Sequence, residues 1–241
     1  MIRSLCVLFL LVAKIGSGEE RRCGMVNPPG IVRPGASNST ESFPWLFFLK
    51  VGKSSVCPAF LIEKEDDSNH NSDFLYVRKD CYERSRMGSS GQVYRQNEDK
   101  VEKYSAEVLA SGSVPEELVM LKMKPSRIGG ICVKKPATTY PIDNCVTVMF
   151  ESQGKSLNAK TSRTKLLPDH SCEKKYGRNI TASEFCAVMK DLPQQQDEGS
   201  VILCHQQRNQ WNIIGVQTAT TSDTGWTSKG KLKCALFSSV Q

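Results

Sequence analysis

The sequence predicts an all-β protein, a sandwich or a pair of barrels, on two observations. Apolar residues come in short runs, rich in Val, Ile and Phe and bounded by Gly, Ser, Asn or Pro, which is how strands alternate with turns. No stretch of a dozen residues keeps its apolar side chains at helical spacing. Many short strands in a chain of 241 residues suit a barrel or sandwich architecture.

The expected strands follow in order. They are FPWLFFLKV (43–51), CPAFLI (57–62), FLYV (74–77), ELVMLKM (117–123), CVTVMF (145–150), SVILC (200–204), WNIIGVQ (211–217) and CALFSSV (234–240). Between them, EKEDDSNHNSD (63–73) reads as an exposed polar loop. So does 83–100, although Val93 and Tyr94 within it could pair with a strand. Trp45 and Trp211 are expected in the core, because buried aromatics dominate core energetics. His205 is expected to be an ordinary surface or loop histidine.

Arg3 precedes an apolar run, Leu5 to Ala13, and the small residues Gly16, Ser17 and Gly18 follow. This is the pattern of a secretory signal peptide cut near Gly18. The run is too short to span a bilayer, so export and no membrane anchor are expected. Apolar content of 39% and charged content of 24% are ordinary for a globular protein. Without Arg3 and Lys14 the formal charge of +7 becomes +5. The basic residues are dispersed without aromatic interleaving, which argues against nucleic-acid binding.

Cysteine usage agrees with export. Outside the leader stand nine: Cys23, Cys57, Cys81, Cys132, Cys145, Cys172, Cys186, Cys204 and Cys234. There is no C-x-x-C pair, and none of the three histidines lies near a cysteine pair, so neither a metal nor a cofactor is expected. Disulfides plus one leftover thiol is the plain reading. Two sequons, at Asn38 and Asn179, mark surface positions able to carry glycans.

The ordered landmarks carry a resemblance. Ile31-Val32, FPWLFFL, CPAFLI, FLYVRKDC, EELVMLKM, ICV, CVTVMF, CEKKYGRNITASEFCAVM and DEGSVILC…WNIIGV succeed one another over roughly residues 23–240. Together they resemble the trypsin/chymotrypsin family of serine proteases, with C-x3-YG-x2-IT…C as the most telling piece. The resemblance implies two packed six-stranded antiparallel β-barrels. It divides the chain into a signal peptide (1–18), a short activation-like segment tethered by a disulfide (19–30) and a protease-like domain (31–241) with barrels over about 31–133 and 134–241. The family's C-terminal helix is expected to be missing, since Gln241 directly follows the last strand. The implied bridges are Cys23–Cys132, Cys57–Cys81, Cys145–Cys204 and Cys172–Cys186. Cys234 is left over. It is either buried in the core, the better reading of its apolar strand, or joined to a second chain in a disulfide-linked dimer.

By the same resemblance Asp80 stands at the position of the catalytic histidine, Glu117 at that of the aspartate and Glu198 at that of the serine. Gln196 replaces the oxyanion-hole glycine, Leu192 stands at the base of the specificity pocket, and Thr218-Ala219-Thr220 replaces the substrate-pairing strand. Gly30 precedes Ile31 where the family is cut after a basic residue. Asp197, the partner of the freed amine in the family, remains. A carboxylate at Glu198 is a poor nucleophile toward an amide, since the triad needs an activated hydroxyl or thiol. A carboxylate at Asp80 does not shuttle protons near neutral pH as an imidazole does. Loss of nucleophile or base alone costs on the order of 10⁶ in turnover in a comparable triad. Three converging carboxylates would repel, by about 4 kcal/mol for a pair about 4 Å apart. They would have to hold a proton, stay well hydrated or bind a cation such as calcium; hydration is the default outcome, with Arg78 or Lys79 as neutralising partners. The expected function is therefore that of a secreted pseudoprotease, not an enzyme, which binds an extracellular protein as a regulator or decoy in a proteolytic, immune or reproductive process. The alternative is a divergent secreted hydrolase with residual activity through its acidic residues.

Overall fold

The structure is a computed structural model that describes residues 23–24, 37–39, 42–52, 55–63, 73–97, 100–109, 117–124, 128–133, 145–153, 156–190, 200–207, 210–220, 225–227 and 230–239. Residues 1–18, expected to be a signal peptide, Ile31-Val32 and most of 19–30, expected to be an activation-like segment, lie outside them.

The first strands are β1 (Ser37–Ser39), β2 (Leu46–Val51), β3 (Ser55–Glu63) and β4 (Phe74–Arg78), which leads into the short helix α1 (Lys79–Ser85). β5 (Ser90–Asn97), β6 (Lys100–Val108), β7 (Leu118–Met123) and β8 (Ile131–Val133) follow. Strand β2 pairs with β3, β3 with β4, β4 with β7, β7 with β6, β6 with β5, and Phe48 of β2 faces Tyr94 of β5. All are antiparallel, so six strands close a barrel. In β4 the alternation is plain: Leu75 and Val77 point into the barrel while Phe74 and Tyr76 face outward.

The second half contains β9 (Cys145–Gln153), β10 (Ser156–Leu167), the helix α2 (Asp169–Tyr176), β11 (Glu184–Lys190), β12 (Val201–Gln207), β13 (Gln210–Thr220), β14 (Gly225–Thr227) and β15 (Gly230–Ser239). Here β9, β10, β11, β15, β13 and β12 pair in that order, and β12 returns to β9. This is a second closed antiparallel barrel, and closure leaves no unpaired edges. The expected pair of six-stranded barrels is thus present. Strand β8 joins them, running parallel to both β3 and β13. β1 adds to β10, and β14 pairs with β15.

The seam between the barrels is apolar. Val146, Val148 and Phe150 of β9, Val201 and Leu203 of β12, and Ile213 and Val216 of β13 belong to one buried cluster with the first barrel's core. The intervening Cys145, Met149, Ile202, Cys204 and Ile214 fill the second barrel instead. These strands are buried on both faces, so their sequences read as continuous apolar runs. Phe43 and Phe60 meet Phe150 of the other barrel, with ring centroids 6.4 and 5.9 Å apart, and Trp45 packs against both of them at 5.3 and 6.3 Å, spacing at which aromatic pairs are favourable. Trp45 and Trp211 are both buried, and His205 lies edge-on to Trp211 at 5.1 Å.

Four disulfides join Cys23 to Cys132, Cys57 to Cys81, Cys145 to Cys204 and Cys172 to Cys186. Cys234 sits in β15 opposite Val188.

Several sequence expectations are corrected. Residues 83–100 are not one exposed loop but the end of α1 and a β-hairpin strand. Of this ribbon, only Val93 of β5 and Ala106 of β6 are deeply buried, too sparse an apolar signal to read as strand. Strand β10 hides for another reason. Its buried side chains include Thr161, Ser162 and Thr164, and Thr164 is hydrogen-bonded to Thr147 of β9 at 2.6 Å, so polar groups are satisfied inside the barrel. Glu63, placed by its sequence in an acidic loop, ends β3 and is 3% exposed. Its carboxylate accepts the Gly130 N–H at 3.0 Å.

That carboxylate begins a chain of contacts that fastens the N-terminal segment. The Gly130 carbonyl accepts the Gly24 N–H, and the Gly24 carbonyl accepts the Trp211 N–H, both at 2.9 Å. Gly24 has φ +74°, and a Cβ there would lie 1.9 Å from the Trp211 carbonyl oxygen. Gly52 also has positive φ, yet a Cβ there would meet nothing. Gly52→Ala is therefore expected to cost only the backbone penalty of about 1–2 kcal/mol. Gly24→Ala is expected to cost clearly more, because the tether must move. Guanidinium unfolding midpoints compare the two, and equal losses would contradict the close packing at Gly24.

Candidate functional site

Two of the three residues that the resemblance sets at triad positions are brought together by strand pairing. Asp80 lies in the first turn of α1 and Glu117 in the turn that opens β7. Arg78 and Leu118 are register partners, and the Lys79 N–H donates to the Glu117 carbonyl at 2.8 Å. Cys81, buried and bridged to Cys57, pins α1 to β3 one residue beyond Asp80.

The Asp80 side chain is about half exposed and is held by arginines. Arg78 donates from Nε to Oδ1 at 2.8 Å and from Nη2 to Oδ2 at 2.6 Å, the two-pronged geometry that favours arginine over lysine. Arg84, one helical turn on, lies 3.6 Å from Oδ2. Of the two neutralising residues weighed from sequence, Arg78 is the one that engages. A carboxylate so held is an ion-pair acceptor.

The third residue, Glu198, is not among the described residues. Nor are Leu192, Gln196 and Asp197, which fall with it in the segment between β11 and Ser200. Ser200 itself has no exposed surface, and its Oγ is buried without a hydrogen-bond partner. Its carbonyl accepts the Gln217 N–H at 2.8 Å. Beyond Gln217 the pairing of β13 with β15 shifts register, so Thr218 sits at a bulge between Gln217 and Ala219. Among the described residues no group of three or more His, Cys, Asp and Glu side chains is placed to hold a metal ion.

The structure adds a feature the sequence reading missed. After α2, Gly177 adopts φ 64° and its N–H caps the helix on the Glu173 carbonyl. The following loop is clamped by Glu184, whose side chain is 8% exposed. Arg178 donates to both Glu184 oxygens, at 2.6 and 3.0 Å, and the Thr181 N–H donates to Oε2 at 2.9 Å. Arg178 also donates to the Asn179 carbonyl at 3.0 Å, so the exposed sequon residue sits on an ordered loop. The hydrogen bonds and charge of Glu184 hold the Arg178 guanidinium above its ordinary pKa. The only sequence signal for this clamp is an Arg and a Glu six residues apart flanking N-I-T, and that spacing has no meaning outside a loop.

The Arg178 guanidinium and the Thr181 N–H hold the Glu184 carboxyl at about 2, down from 4.5. A depressed folded-state pKa means that the stabilisation is complete above about pH 4.5 and is lost as pH falls toward 2. Glu184→Gln is therefore expected to lower the melting temperature at neutral pH and to flatten its decline between those limits. Wild-type and variant curves that stay parallel across that window would contradict the clamp.

The trypsin family model matches residues 32–231, a span that contains both barrels' strands apart from most of β15. Comparison with curated proteins finds no match. With two closed barrels, the matched span and the disulfide framework in agreement, this chain belongs to the trypsin family.

Proposed function

We propose that this member of the trypsin family is a secreted pseudoprotease that acts by binding another extracellular protein, as a regulator or decoy. The observation that carries the reading is substitution at all three triad positions, above all Glu198 where the family has its nucleophile. The geometry supports it in two ways. Arg78 engages the Asp80 carboxylate at the position where a proton-shuttling imidazole would stand. The hydroxyl two residues beyond Glu198, that of Ser200, is fully buried and so not offered to a substrate. The leader-like N-terminus and four disulfides support export. No helix among the described residues is long and apolar enough to cross a membrane. The exposed Asn179, on its clamped loop, supports glycosylation there.

The test is labelling by a fluorophosphonate probe together with turnover of a mixed peptide library. Neither is expected for the wild-type protein. Neither is expected for the triple variant Asp80→His, Glu117→Asp, Glu198→Ser, because Gln196 and Thr218-Ala219-Thr220 still depart from the family pattern. A single oxyanion donor is worth roughly 3–4 kcal/mol of barrier, so restored triad groups alone leave a large deficit. Labelling of any serine in the wild-type protein would overturn the reading.

A further inference from the structure

We draw no further inference here: the strongest candidate, the pair of buried polar side chains where β12 begins beside β13, leaves Ser200 Oγ and Gln217 Oε1 without hydrogen-bond partners, but the segment between β11 and Ser200 that would have to wall a site there lies outside the described residues.

Discussion

The structure depends on one apolar seam between two barrels. Phe43 and Phe60 from the first barrel close on Phe150 from the second, and the rows of β9, β12 and β13 that face the first barrel extend the contact. Each barrel then shares core with its neighbour, and neither has to bury its apolar surface alone. The strands on the seam are apolar on both faces for this reason. Removing a buried Phe side chain from such a core costs about 3–5 kcal/mol, a large fraction of a typical domain's stability. The parallel bridge through β8 and the Cys23–Cys132 tether lie on the same junction. Covalent, hydrogen-bonded and apolar links therefore act at one place.

Fixing the barrels fixes what they carry. Pairing of β4 with β7 sets Asp80 beside Glu117 whatever the chemistry of the two residues. What the side chains decide is the electrostatics. Arg78 meets Asp80, and Arg178 meets Glu184, so Asp80 and Glu184 each have an arginine as ion-pair partner. Exposed ion pairs of this kind contribute little to stability. The nearly buried Glu184 pair is the exception and orders its loop.

The N-terminal segment shows how a small residue can be decisive. Gly24 lies between Gly130 and Trp211, where only a hydrogen fits. The buried Glu63 carboxylate supports this arrangement from the other side by accepting the Gly130 N–H. A charged group inside a protein is tolerated when it is hydrogen-bonded, and here it organises backbone at the junction of the two barrels.

The sequence by itself determined the strand-rich class, the order of landmarks and the cysteine positions. These are properties of composition and spacing, and two closed barrels follow them. It also determined which side chains stand at Asp80, Glu117 and Glu198, although Glu198 lies outside the described residues. Only the tertiary structure decided that Glu63 is buried, that β6 and β10 are strands, and that Arg178 and Glu184 clamp the loop after α2. The physical reason is shared. Sequence periodicity reports the contrast between a wet face and a dry one, and β10 has polar groups satisfied inside a barrel, while β6 has one deeply buried side chain. Arg86 is the sharpest case: it lies in a stretch whose sequence reads as an exposed loop, and the structure makes it the left-handed residue that ends α1.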